Sequence, residues 1–198
     1  MTTRLRLAAA SLVLAGIAGV WLLFVALPAW YAPAPSGEPA STAGGATPTA
    51  TAGVRKIKAT LFYVSADGLS LAGVERDVPY GEGPVEQARL IVEEQLKAAP
   101  EPYASALPPG TTLRGLYLTD RGDAFVDLSA EVATAHSGGS LDELFTVYAL
   151  VDALTTNLPA ITAVQILVGG EEVDTLAGHV DLRHPLQKNL KWVEADAR

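Results

Sequence analysis

The sequence predicts an α+β fold in which two helices pack on one largely antiparallel sheet, in the order ββαββαββ. Three observations lead there. Short runs of apolar residues alternate with period two between Gly- and Asp-containing turns, and two longer segments carry apolar residues at helical spacing. The strands come in pairs before, between and after those two segments.

The N-terminal third stands apart from this pattern. Residues 7–27 contain no charge, and at about 1.5 Å per residue a helix of that length spans a hydrocarbon core of roughly 30 Å. Arg4 and Arg6 precede it, and the next basic residue is Arg55. The positive-inside rule therefore places residues 1–6 in the cytoplasm and the remainder outside, with residues 7–30 as an uncleaved single-pass signal anchor in the cytoplasmic membrane. Trp21, Trp30 and Tyr31 suit interfacial anchoring. A cleaved signal peptide is the alternative, but its apolar region is usually about 7–15 residues, and Pro28, Trp30 and Tyr31 interrupt the small-residue pattern expected at a cleavage site. Residues 31–53 are almost entirely Ala, Pro, Thr, Ser and Gly. Such a segment cannot bury enough apolar surface to offset its ordering entropy and reads as a tether, with a root-mean-square reach of roughly 25 Å.

Residues 54–198 form the folded domain, long enough to bury about two thirds of the unfolded surface. The whole chain has no cysteine, which excludes disulfides and a lipid-modified thiol. In this part 21 acidic side chains face 12 basic ones, a balance of −9. That balance excludes a nucleic-acid partner and argues against docking on anionic lipid.

Ile57, Ala59, Leu61 and Tyr63 alternate with Lys58, Thr60 and Phe62, the pattern of a half-buried strand. Asp67-Gly68 turns the chain into a second strand over 71–78. Pro84 opens the first helix, since its missing N–H would be unpaired there in any case. Its inner stripe is Val85, Ala88, Ile91, Val92 and Leu96, with Glu86, Arg89, Glu93 and Lys97 outward, and Pro100 and Pro102 stop it. Strands over 111–119 and 122–128 follow, joined by Asp120-Arg121-Gly122, with Ala124, Val126 and Leu128 on one face. A short helix is expected over 130–135. Ser140 to Glu143 reads as a capping box for the second long helix, whose buried face is Leu144, Phe145, Val147, Tyr148, Val151 and Leu154 and which ends near Asn157. Val164, Ile166 and Val168 share a strand face, Gly169-Gly170 supplies a two-residue turn, and the chain returns over 172–176. The stretch 176–182 is expected to be the closing strand. Leu107-Pro108 and Leu158-Pro159, each leading into a hairpin, give a faint repeat offset by 51 residues.

Several of these strings resemble a known family. Pro109-Gly110-Thr111, the run from Ala124 to Ser129, Gly138-Gly139, the run from Val147 to Val151 with Leu154-Thr155, and above all residues 164–168 and 175–182 are similar to the GerMN domain, the sporulation and spore germination domain. The resemblance covers roughly residues 58–186. It implies a compact α/β module behind a membrane or lipid anchor in the bacterial envelope, acting by interaction rather than catalysis. Asp152-Ala153 stands where the family often has an Asn-Thr pair. The resemblance brings no catalytic residues to carry over.

The residues themselves offer few chemical constellations. His179, Asp181 and His184 could hold a zinc, or His179 hydrogen-bonds within a packed tail while Asp181 and Arg183 turn outward. Asp127 and Ser129 could stand as catalytic groups, or could cap the short helix. Ser137-Gly138-Gly139-Ser140 could receive an anion at a helix N-terminus, or could be a plain entry loop. Glu93-Glu94, Asp142-Glu143 and Glu171-Glu172 are adjacent in sequence and so diverge in a helix or strand. No phosphate loop, dinucleotide fingerprint or zinc-ligand spacing occurs. The expectation is a non-catalytic envelope module with no cofactor, no metal and no catalytic residue, binding an envelope protein or peptidoglycan. The alternatives are a peptidoglycan hydrolase using acids such as Asp127 and Glu131, and an oligomeric envelope scaffold.

Overall fold

The computed structural model describes residues 55–194. The anchor and tether expected over 7–30 and 31–53 lie outside them. Among the described residues no helix is long and apolar enough to cross a membrane.

The chain runs through β1 (Lys56–Val64), β2 (Leu71–Pro79), α1 (Pro84–Gln95), β3 (Leu113–Leu118), β4 (Asp123–Leu128), a one-turn α2 (Glu131–Thr134), α3 (Ser140–Asn157), β5 (Ala163–Val168), β6 (Glu171–Glu172), β7 (Leu186–Gln187) and a 3-10 turn (Leu190–Trp192). It is an α+β fold, with the helices and strands close to where the sequence puts them. The sheet differs from expectation in two ways. First, there are two sheets: β1 and β2 form a separate antiparallel hairpin, and β3, β4, β5, β6 and β7 form the other. Second, β4 and β5 are parallel, Asp123 opposite Ala163 through Leu128 opposite Val168. Parallel neighbours need a long crossover, and α2 with α3 supplies it. Local periodicity reports which residues are in strands and carries no record of which strands pair.

The apparent repeat holds for the hairpins and not for the helix junctions. Leu158-Pro159 directly follows α3, whereas Leu107-Pro108 lies in a loop well after α1 ends at Gln95. Both lead into antiparallel pairs, β3–β4 and β5–β6, and β5 in addition runs parallel to β4.

Helix α3 touches β1 of the hairpin and β5 and β7 of the larger sheet, and α1 packs on α3, β2 and β3. Most of the circumference of α3 is therefore buried, including Glu143, Thr146, Asp152 and Thr155 beside the expected apolar face. On α1 the buried stripe is Gln87, Ala88, Ile91, Val92, Glu94 and Gln95, and Val85 is 41% exposed rather than inward. The core named by burial runs from Ala59 to Leu182, so the fragment 54–198 keeps a complete core of its own.

The capping box does not form. Gly139, at φ 93°, is the N-cap residue of α3, Ser140 is the first helical residue, and no side chain caps the helix. The stretch 176–182 is not a strand either. It is a bent loop whose ends are tied by Leu182 N–H to the Asp174 carbonyl at 2.8 Å, and the closing strand is β7. Two glycine positions were read correctly: Gly169 and Gly170 have φ 66° and 90°, the conformation that a two-residue hairpin turn demands. Gly122 is fixed by closeness as well, because a Cβ there would meet the Ala160 carbonyl oxygen at 2.8 Å.

The hairpin is held at both edges. The outward N–H and C=O of Thr60 pair with the Asn157 carboxamide at 2.8 and 2.7 Å, and those of Phe62 pair with Gln95 at 3.0 and 2.7 Å. Val64 exchanges two backbone bonds with Ala104. Two amides and one loop residue thus complete the β1 edge in place of a strand. On the other edge, Val193 lies parallel to Leu71, and Glu194 N–H donates to the Leu71 carbonyl at 2.7 Å. Phe62, expected on the open face of β1, is 2% exposed.

Candidate functional site

The residues singled out for chemistry are engaged in holding the fold. Asp127 on β4 is buried; one carboxylate oxygen accepts the Gly170 N–H at 2.7 Å, and the other lies 3.6 Å from Arg114 Nε. It fastens the β5–β6 turn and does not cap α2. Ser129 Oγ accepts the Thr112 N–H at 3.0 Å, linking the chain after β4 to the approach of β3. It too makes no helix cap, and the N-cap position of α2 is Ala130, without a capping side chain. Glu131 is exposed, and a hydrogen bond from Ser129 holds its carboxyl below the ordinary value. Two acids converging across a cleft, as glycoside hydrolysis requires, are not what these positions offer.

His179, Asp181 and His184 go separate ways. His179 turns to Glu143, its N–H and Nδ1 at 2.8 and 3.1 Å from Oε2. Asp181 faces solvent and takes both Nε and Nη2 of Arg183 at 2.9 and 2.6 Å, and that guanidinium holds its carboxyl well below the usual range. Among the described residues no three His, Asp or Glu side chains are grouped to hold a metal ion. The adjacent acid pairs diverge as expected: Glu93 is exposed and Glu94 buried, Asp142 exposed and Glu143 buried, and Glu171 and Glu172 both lie on the surface.

Glu143 is the residue whose role was misread. Its side chain is fully buried, and it accepts the N–H groups of Leu176 and Ala177 at 2.8 and 2.9 Å besides that of His179. Burial pushes its carboxyl up, but the N–H groups of Ala177, His179, Leu176 and Val180 outweigh burial and leave it below its ordinary value. A carboxylate expected to cap its own helix instead receives the loop 174–182.

Asp152, one face further along α3, is also fully buried, but with less compensation. Oδ1 accepts the Asn189 N–H at 2.8 Å, and Oδ2 has no partner. Burial pushes its carboxyl up to about 6 against the pull of that N–H and of Lys188. An Asp inside the apolar run Val151-Asp152-Ala153-Leu154 was the available signal.

A groove of about 240 Å³ lies between the 105–109 loop, the 135–137 loop and the first turns of α3. Leu107, Pro108, Pro109 and Phe145 give it apolar walls. At its polar end Ser137 Oγ donates to Asp142 at 2.9 Å. His136 is fixed there: Nδ1 accepts the Gly138 N–H at 3.0 Å, so Nε2 carries the proton and donates to Thr146 Oγ1 at 3.2 Å. Thr146 Oγ1 in turn donates a hydrogen bond to the Ala106 carbonyl at 2.6 Å. This relay ties the three walls together and leaves the imidazole no free lone pair. Sequence reading passed over His136 because a lone His carries no pattern.

Comparison with known proteins places this arrangement. The family model described as "Germane: Sporulation and spore germination" matches residues 60–174, more than half of the chain. The chain belongs to the Germane family. Two solved GerMN structures share its fold. The first GerMN domain of the sporulation protein GerM from Bacillus subtilis is 19% identical with a TM-score of 0.52, covering 66% of this chain and 97% of that one. The tandem GerMN domains of the same protein give 20% identity and a TM-score of 0.50, covering 69% of this chain and 46% of that one. No curated protein sequence matches. The Germane match runs from Thr60, within β1, through β6 and stops at Asp174, ahead of β7 and the terminal turn.

Proposed function

We propose that this Germane-family protein is a non-catalytic binding module of the cell envelope, held outside the cytoplasmic membrane by the helix over 7–30 and free to search on the tether over 31–53. Its partner is an envelope protein or a cell-wall polymer. The observation that supports this reading most is how the reactive side chains are used: Asp127, Ser129, Glu143, His136 and His179 all spend their hydrogen bonds on backbone or neighbouring side chains within the domain. The groove beside α3, apolar along its walls and acidic at one end, is the surface such a module would use.

The test is a photo-crosslinking residue at Ser137, on the rim of that groove, in the full chain expressed in its envelope. A discrete adduct to one protein, or retention of fragment 54–198 on purified peptidoglycan, is expected. Capture of neither defeats the reading, and so does release of soluble fragments from peptidoglycan, which would make the protein a hydrolase.

A further inference from the structure

Residues 188–194 leave β7 and cross to the hairpin, where Val193 pairs with Leu71. Leu190 and Val193 line a groove of about 650 Å³ together with Phe62 of β1 and Thr156 of α3. The segment is held lightly. None of its residues is buried. Its far end is tied by Glu194 N–H to the Leu71 carbonyl at 2.7 Å and by Ser70 Oγ to the Glu194 carboxylate at 2.9 Å. Its near end is tied by Asn189 N–H to Asp152 Oδ1 at 2.8 Å. A stretch with so few buried contacts opens ahead of the core.

The near tie ends on a poorly compensated carboxylate. Asp152 is fully buried, its Oδ2 has no partner among the described residues, and the groups that favour its charge, Asn189 N–H and Lys188, both belong to the crossing segment. The elements packed on α3 leave Lys188 as the charge that acts on it. Strands β5 and β7 carry no charged residue, and Lys56 and Lys58 of β1 are exposed. On α1, Glu86 pairs with Arg89, Glu94 pairs with Arg76 and Lys97, and Glu93 is exposed. Glu143, the other buried acid of α3, is taken up by the 174–182 loop.

We propose that residues 188–194 are a pH-released strap, latched on Asp152 in acid and lifting from the hairpin as the surroundings approach neutrality. Lifting removes Leu190 and Val193 from the groove. It also uncovers Phe62, whose partner across the hairpin, Gly73, has no side chain to shield the ring. The sign follows from where the proton binds. With the strap down, burial holds the Asp152 carboxyl at about 6; with the strap lifted, the carboxyl meets water and returns towards 3.8. The closed state binds the proton more tightly, so opening becomes easier as pH rises from about 4 to about 6 and changes little above that. Over that range the opening equilibrium grows on the order of a hundredfold at most.

The test is amide hydrogen exchange on fragment 54–198 from about pH 4.5 to about pH 7.5, each rate divided by the intrinsic rate at that pH. The Asn189 and Glu194 amides, which make the two ties, should exchange about tenfold or more ahead of the Leu61 amide at the upper end. Their protection should fall by about tenfold or more across the range. Asp152→Asn keeps an acceptor for Asn189 N–H but has no proton to lose, so its strap should show the same protection at every pH. Strap amides that exchange together with Leu61 throughout would overturn the proposal, because the strap would then have no opening of its own. Protection that is level with pH in the parent, or that falls equally in Asp152→Asn, would overturn it as well.

Discussion

Two buried carboxylates one helix face apart on α3 answer the same problem differently. Glu143 is surrounded by donors and stays charged, whereas Asp152 has one donor and its proton affinity rises. The pH dependence follows with opposite signs. Asp152 titrates near 3.8 when unfolded and near 6 when folded, so the folded state binds its proton more tightly. Stability therefore falls as pH rises from about 4 to about 6, by about 3 kcal/mol at most, and is flat above that. Glu143 has a depressed folded value, so its contribution is present above the ordinary glutamate range and is lost as pH falls through the folded value. Asp152→Asn should keep the acceptor for Asn189 N–H while removing the buried charge. Urea unfolding at pH 7.5 should show a gain of about 1–2 kcal/mol after the cost of an unpaired NH₂ is subtracted. The variant should also lose the slope between pH 4 and 6; a slope equal to that of the parent would sink the assignment. Glu143→Ala leaves buried N–H groups without an acceptor and should cost about 3–5 kcal/mol. It should also open the 174–182 loop, read as faster tryptic cleavage at Arg183.

At the scale of elements, the hairpin depends on two amides that no strand or helix pattern announces. Gln95 and Asn157 each close an N–H and a C=O of β1, so Gln95→Ala and Asn157→Ala should each destabilise by about 2–3 kcal/mol. Gln95→Glu should be at least as damaging, because a carboxylate can accept the Phe62 N–H but repels the Phe62 carbonyl. Losses under about 0.5 kcal/mol in chemical denaturation would mean that the edge is held by packing alone. This is also where the sequence ran out. Strands β1 to β5, the Pro84 start of α1, the short α2, the Asn157 end of α3 and the Gly169-Gly170 turn were legible, because each has a periodic or turn signal within its own few residues. The parallel pairing of β4 with β5, the amide edge and the Glu143 contact with the 176–179 loop were not, because each joins residues 30 or more positions apart. A capping box and a loop anchor use the same Ser-Leu-Asp-Glu string. The choice between them is made by the loop, which arrives more than thirty residues later. The groove was illegible for the same reason, Thr146 meeting Ala106 across 40 positions, whereas His136 escaped notice because a lone His carries no pattern.

At the scale of the whole domain, α3 decides whether the two sheets can come apart. It contacts β1 on the hairpin and β5 and β7 on the larger sheet, and its buried residues belong to one continuous core with theirs. The hairpin alone is two strands, too little to be stable in water. Its outer edge is closed by α1, α3 and the 104 loop, so separating it would strip β1 of its partners and expose Leu61, Phe62 and Tyr63 together. The hairpin therefore has no stable state without the rest of the domain, and fragment 54–198 should unfold in one cooperative transition. At about 0.7 kcal/mol per residue its unfolding enthalpy near 60 °C should be roughly 100 kcal/mol. Calorimetry tests this by comparing that enthalpy with the van't Hoff value, which should agree for a two-state transition. Hydrogen exchange gives the local version: the Leu61 and Tyr63 amides should exchange at the rate set by global unfolding, alongside those of Val126 and Ile166. A second calorimetric transition, or hairpin amides that exchange well ahead of the β4–β5 pair, would show that α3 does not couple the two sheets.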